Sequence, residues 1–341
     1  MKVVCICDVG VPERLMAMMD KLPGCEVTYF TEPTLNDVKA SKLALRAIEE
    51  GGPEVWKVSD EMLQAVKEAE AIVVHVAPVG RTVMDAAPNL KVVGVLRTGV
   101  ENVDLELCRE RGIQVYNAEG RNSVAVADQT VAMMLCEMRN IARGHAAMVS
   151  GQWVKMFPNT FYIRDMCQCT VGIIGVGKIG VLVAERLKGF GCKILGCDIF
   201  LPPEEIRRRG CEPVSMEELL QRSDFITIHM RHEAGEPPLI GEAELAKMKK
   251  NAILINCARS GLVDTDALVA ALQEKRIGGA ALDVFDEEPM PAEHPLFKLD
   301  NVTLTPHTAG TTMDAFANSV VILLGQLTEL MNGGSPRNRI V

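Results

Sequence analysis

Val171-Gly172-Ile173-Ile174-Gly175-Val176-Gly177-Lys178-Ile179-Gly180 is the stretch on which the fold turns. A short apolar run ends in three glycines spaced G-x-G-x-x-G, and residues 181–187 then read as helix. At a dinucleotide site each glycine has its own task. Gly175 makes the tight turn, Gly177 lets the backbone approach a pyrophosphate, and Gly180 lets helix pack on strand. Val176, Lys178 and Ile179 complete the loop, and the helix N-terminus offers free N–H groups to phosphate. Glycines at this spacing also mark ordinary tight turns, so the next strand decides. Residues 193–197 read as that strand and end at Asp198, 18 residues past Gly180, near the spacing of the dinucleotide fingerprint. A carboxylate there accepts from ribose hydroxyls and repels a 2′-phosphate, so NAD is expected over NADP.

Outward from this stretch, short apolar runs alternate with helical segments, the pattern of parallel α/β sheets. Upstream, residues 2–7, 27–30, 71–74 and 91–96 read as strands. Helices are expected over 12–20 and 35–50, and behind the cap at Ser59. Residues 123–139 form a long helix, apolar on more than one face, expected to be buried between domains or subunits. Downstream, residues 225–229, 252–256, 279–284 and 302–305 read as strands, with helices over 264–274 and 312–331. The expectation is an α/β protein of two Rossmann-like domains with parallel sheets. A discontinuous, flavodoxin-like substrate domain (1–117 and 308–341) is interrupted by an inserted NAD domain (118–307).

Composition narrows the function. The 341 residues carry 48% hydrophobic and 24% charged residues, as ordinary globular proteins do. A net charge of −9 argues against a nucleic-acid partner, which needs a basic face. No apolar run reaches the roughly 20 residues of a membrane span, and the apolar part of the N-terminus is too short for a signal peptide. A cytoplasmic location is expected. Of the eleven cysteines, Cys5/Cys7 and Cys167/Cys169 form C-x-C pairs without the C-x-x-C spacing of common zinc sites. They read as reduced packing residues, so no metal is expected.

Three polar residues follow strands downstream of the glycines, at the edge where open α/β sheets bind ligands. They are Arg259 in Asn256-Cys257-Ala258-Arg259-Ser260-Gly261, Glu288 in Asp283-Val284-Phe285-Asp286-Glu287-Glu288-Pro289, and His307 in Thr305-Pro306-His307-Thr308-Ala309-Gly310. Singly, each has a plainer reading as surface ion pair, loop acid or turn residue. In order, the segments resemble the motifs N-x-A-R-G-x-x-V-D, L-D-V-F-x-x-E-P and T-P-H-x-A-G of the D-isomer-specific 2-hydroxyacid dehydrogenase family, which includes phosphoglycerate and glycerate dehydrogenases. The resemblance runs from about Leu90 to Gly310 and is loose before it.

That resemblance implies an NAD-dependent oxidoreductase interconverting a D-2-hydroxy acid and its 2-oxo acid. Arg259 would hold the substrate carboxylate with a bidentate fork. His307 would be general acid in reduction and base in oxidation. Glu288 would orient His307 and favour its charged form. Asp283 would lie near the nicotinamide carboxamide, with His229, Cys257 and Ala258 also at the cofactor. Two departures stand out: Ser260 replaces a usual Gly or Ala, and the loop 230–238 replaces a Thr-Pro loop of relatives.

Arg97-Thr98-Gly99 lies in a segment resembling the family's substrate-binding turn, where phosphoglycerate dehydrogenase has glycine in place of Arg97. Arg97, with His75, could read a second polar or anionic group. Alternatively Arg97 pairs with Glu101 and never meets substrate. The chain stops soon after its last helix, so no C-terminal regulatory domain is expected. A homodimer is expected through the helix over 123–139. The other functional class open to this fold is an NAD-sensing, corepressor-like binding protein.

Overall fold

A computed structural model describes residues 1–233 and 235–341; Ala234, in the departing loop 230–238, lies outside the described residues. The chain forms two compact units, Met1–Asn122 with Thr312–Val341, and Ser123–Thr311.

The first unit holds a five-stranded parallel sheet of β1 (Lys2–Cys7), β2 (Glu26–Thr31), β3 (Ala71–Val74), β4 (Val92–Val95) and β5 (Gln114–Asn117). Its order, β2-β1-β3-β4-β5, is that of flavodoxin-like sheets, with the switch point between β1 and β3. All residues of β3 and β4 are buried, because helices cover both faces of a parallel sheet. The helix Val38–Gly51 starts where Asp37 accepts from Lys39 N and Ala40 N, and Ser59 caps Asp60–Ala65 through Met62 N. Residues 12–20 form only one α-turn, Glu13–Met16, followed by a 3-10 stretch.

The sequence reading omits β5. Its four residues, Gln114-Val115-Tyr116-Asn117, begin and end on polar side chains and make no apolar run, and a distant segment completes the strand's pairing. Val115 N donates to Val341 O and Ile340 N to Val115 O, at 3.3 and 2.7 Å. The returning helix Met313–Met331, capped by Thr312, lies close over β4. A Cβ at Gly94 would sit 2.6 Å from Leu323 Cδ2.

The second unit holds β6 (Thr170–Ile174), β7 (Lys193–Cys197), β8 (Glu212–Pro213), β9 (Phe225–Ile228), β10 (Ile253–Asn256), β11 (Gly279–Leu282) and β12 (Val302–Leu304). The order β12-β11-β10-β9-β6-β7-β8, all parallel, is that of a Rossmann sheet with a seventh strand. The order reverses between β6 and β9, and the strand bearing the glycine loop stands at that switch point.

The units divide at Asn122 and Thr311, a few residues beyond the expected 117 and 307. Ala118 N donates to Val95 O and Arg97 O, tying 118 to the first sheet. Thr308 N and Ala309 N donate to Asp283, tying 308–309 to the second.

The helix Ser123–Arg139 departs from expectation. Val126, Ala127, Val131, Met133 and Met134 join the core of their own unit, so its apolar breadth is consumed inside one chain. Val124 of the helix stays exposed, and exposed apolar side chains recur in the following segment: Trp153 is 76% and Phe161 89% exposed, with Ile141, Met148, Val149 and Met156 also exposed. Among the described residues no helix is long and apolar enough to cross a membrane.

Candidate active site

In a parallel sheet all C-terminal strand ends share one edge, so the second unit brings its sequence-predicted residues to one side: the glycine loop after β6, Asp198 after β7, His229 after β9, Arg259 after β10, Asp283 and Glu288 after β11, and His307 after β12.

The three glycines differ as the fingerprint requires. Gly175 has φ +87°, and a Cβ there would meet His229 O at 2.5 Å. A Cβ at Gly180 would stand 2.2 Å from Gly175 O, so helix and loop touch through bare backbone. A Cβ at Gly177 would meet nothing within 4 Å, so packing does not explain this glycine. Gly177 starts the helix Lys178–Lys188 with no side-chain cap, leaving N–H groups available to an anion. The gap at Gly177 is what a pyrophosphate needs, so these residues fit a dinucleotide.

Asp198 is engaged with the loop: its Oδ2 accepts from Val176 N and its Oδ1 from Phe200 N, at 2.8 and 2.9 Å. A carboxylate has about four acceptor positions, so capacity for ribose hydroxyls remains. Cys257 points inward, its Sγ 3.5 Å from Met133 Sδ, and burial pushes its thiol up to about 12. Ala258 N donates to Asn256 Oδ1.

His229 Nε2 lies 3.0 Å from Thr227 Oγ1, while its Nδ1 is buried with no partner. Burial lowers its pKa from 6.5 to about 3, so the ring is neutral near pH 7. The unfolded chain takes up this proton near pH 6.5 and the folded chain only near 3. The histidine's contribution to stability is therefore fully present above 6.5 and is lost as pH falls toward 3. In His229→Asn, melting temperature should fall less steeply than wild type across that window; equal slopes would count against a neutral buried imidazole.

His307 Nδ1 is 2.8 Å from Glu288 Oε2, and Glu288 Oε1 accepts from Phe285 N. His307 sits at φ +51°, a left-handed conformation that is costly for residues other than glycine. Asp283, fully buried, holds it there. Its carboxylate accepts from Thr305 Oγ1, Thr308 N and Ala309 N at 2.5, 2.9 and 2.8 Å. Asp283 thus fixes the His307 loop, a task the sequence reading does not assign to it. Arg259 is exposed. Its Nη1 donates to Ala258 O, and no carboxylate among the described residues pairs with it. Asn256, missed as a site residue although it opens the N-x-A-R motif, donates to Arg259 O at 2.8 Å and shapes that loop.

In the first unit, His75 Nδ1 lies 3.0 Å from Asp8 Oδ2, and Asp8 is the partner that sequence reading missed. Arg97 Nη2 contacts Glu49 Oε1 at 2.5 Å and Glu101 Oε2 at 3.7 Å, so the expected Glu101 contact is secondary to an unforeseen one. Thr98 is exposed, its carbonyl accepting from Asn117 Nδ2. A Cβ at Gly99 would press on the Glu101 carboxylate at 2.3 Å.

A family model described as D-isomer specific 2-hydroxyacid dehydrogenase, NAD binding domain, matches residues 131–309. A D-3-phosphoglycerate dehydrogenase of Methanocaldococcus jannaschii is 40% identical over 82% of this chain, which spans about half (53%) of that protein. A glyoxylate reductase of Thermococcus litoralis is 39% identical over 82% of this chain and 86% of its own length. The solved structure of D-lactate dehydrogenase with NAD+ from Lactobacillus jensenii superposes with a TM-score of 0.76 over 100% of both chains, at 25% identity.

Proposed function

This chain belongs to the D-isomer specific 2-hydroxyacid dehydrogenase family, and from that premise we propose that it interconverts a D-2-hydroxy acid and its 2-oxo acid with NAD. The observation that carries the reading is the 2.8 Å His307–Glu288 pair, on the same sheet edge as an uncommitted Arg259 and an open glycine loop.

When bound, NAD supplies the hydride that adds to or leaves C2. Arg259 holds the substrate carboxylate, using guanidinium donors that no protein acid occupies. Glu288 accepts from His307 Nδ1, which fixes the ring and leaves Nε2 to give a proton to the carbonyl oxygen in reduction and take it back in oxidation. Asp283 and Asn256 position the two loops. The glycine loop and Asp198 hold the dinucleotide, and His229 stays neutral beside them.

The test is reduction of 2-oxo acids by purified protein with NADH and with NADPH. Turnover with NADH is expected, and a clear preference for NADPH would remove the role given to Asp198. Gly177→Ala and Gly180→Ala separate cofactor binding from packing. Gly180→Ala should cost roughly 1–3 kcal/mol of stability through overpacking. Gly177→Ala should melt with wild type yet bind NAD at least tenfold more weakly, and unchanged affinity would count against the pyrophosphate site.

A second copy of the chain is the occupant we assign to the apolar segment 141–163, since it leaves Ile141, Met148, Val149, Trp153, Met156 and Phe161 exposed within 21 residues, and clustered exposed apolar side chains mark interaction surfaces. Light scattering should find dimers in wild type and monomers in the Trp153→Glu, Phe161→Glu double variant. A monomeric wild type would end this assignment.

A further inference from the structure

The two departures from the family motifs, Ser260 and the loop over 230–238, meet within the second unit. Ser260, Gly261 and Leu262 form a 3-10 turn that starts from Arg259. Leu262 N donates to Arg259 O and Val263 N to Ser260 O, at 3.3 and 2.9 Å, and Arg259 O also accepts from Asn256 Nδ2. Just past the departing loop, Leu239 N and Ile240 N both donate to Leu262 O at 3.0 Å, and Asp264 N donates back to Ile240 O at 2.9 Å. The backbone that leaves the loop is therefore paired to the turn that carries Arg259.

His232 adds a side-chain contact to that pairing. A Cβ built on Gly261 would stand 2.5 Å from His232 Cδ2, 3.2 Å from Cε1 and closer still to Nε2. The imidazole edge thus fills the space that a side chain at 261 would need. Gly261 has no positive φ, so its backbone would accept another residue, and it is the ring that excludes one. The His232 side chain is 14% exposed, and its Nδ1, on the other side of the ring, lies 3.7 Å from Glu236 Oε2. That same oxygen accepts from Glu233 N at 3.0 Å. The ring is held between Glu236 and the turn. The Arg259 guanidinium donates only to the neighbouring Ala258 O among the described residues, so the turn's backbone decides where this side chain originates.

We propose that His232 is a positioning residue for Arg259: seated against Gly261, it fixes the 3-10 turn and with it the guanidinium that holds the substrate carboxylate. This rests on the dehydrogenase reading above. It gives His232, which resemblance to the family leaves without a role, a task on the substrate side of the reaction.

The test uses His232→Ala, His232→Gln, Gly261→Ala and the double variant His232→Ala, Gly261→Ala. Three readouts are taken: steady-state kinetics with NADH and a 2-oxo acid, NAD affinity, and amide hydrogen exchange of the cofactor-free protein. His232→Ala should raise KM for the 2-oxo acid roughly tenfold, since a small misplacement of a binding group is costly, with kcat and NAD affinity near wild type. Gly261→Ala expels the ring and should do the same. The double variant should lose no more than either single one, because both substitutions remove one contact. His232→Gln, whose amide reaches about as far as the imidazole, should recover part of the loss. In both single variants the amides of Leu262 and Val263, which close the turn, should exchange roughly tenfold faster, while those of β3 and β4 in the first unit stay as in wild type. Additive losses in the double variant, a loss of NAD affinity in place of the KM effect, or unchanged exchange at Leu262 and Val263 would overturn the proposal and leave the dehydrogenase reading intact. If wild type reduces no 2-oxo acid, that reading fails and the role of Arg259 with it, whereas faster exchange would still support His232 as the residue that holds the turn.

Discussion

His307→Asn is expected to lower kcat roughly 10²- to 10⁴-fold, the usual worth of a positioned general acid, while leaving NAD affinity near wild type. The expectation follows from the division of labour in the second unit. The glycine loop, Asp198 and His229, proposed to hold the dinucleotide, follow β6, β7 and β9, whereas His307 follows β12 at the far end of the sheet. Asparagine tolerates the left-handed backbone better than most residues, so the substitution removes the proton-transfer group without disturbing φ +51°. Glu288→Gln should be milder. It keeps an acceptor for Nδ1 and so keeps the ring in place, and kcat should fall less than in His307→Asn. An undiminished kcat in His307→Asn would exclude His307 as the acid.

Arg259→Leu carries the second large effect. Loss of two charge-assisted bonds, at about 1.5–3 kcal/mol each, corresponds to a fall of roughly 10² to 10⁴ in kcat/KM. Arg259→Lys should recover only part of it, since an ammonium cannot make the paired contact of a guanidinium. The protein itself should be as stable as wild type. Arg259 is exposed, its one hydrogen bond goes to the carbonyl of Ala258, and no internal ion pair is lost. A variant that melts early would point to a structural arginine and away from a substrate ligand.

The architecture was legible because parallel sheets write themselves as buried apolar runs. Residues 71–74 and 170–174 needed no partner to be read as strands. β5 was not legible, since its second neighbour is the segment around Tyr116 and Arg339, paired across more than two hundred residues. The candidate residues were legible by type and order: Arg259, Glu288 and His307 each lie in a segment that follows a strand. What supports them was not. That Asp283 would hold the His307 loop depends on where Thr308 N and Ala309 N lie. The long helix misled for a related reason. Apolar breadth in Ser123–Arg139 records how much of it is buried, not what buries it, and the helix Lys178–Lys188 and the sheet of its own unit cover most of it.

The central claim, that this edge of the second sheet directs a hydride to C2 of a 2-oxo acid, is tested most directly by following the label. Reduction by NADH deuterated at the transferable position, with the product examined by NMR and chiral chromatography, should give a D-2-hydroxy acid with deuterium at C2, and His307→Asn should form it at least about 100-fold more slowly. Product without deuterium at C2, product of L configuration, or an undiminished rate of labelling in His307→Asn would contradict it.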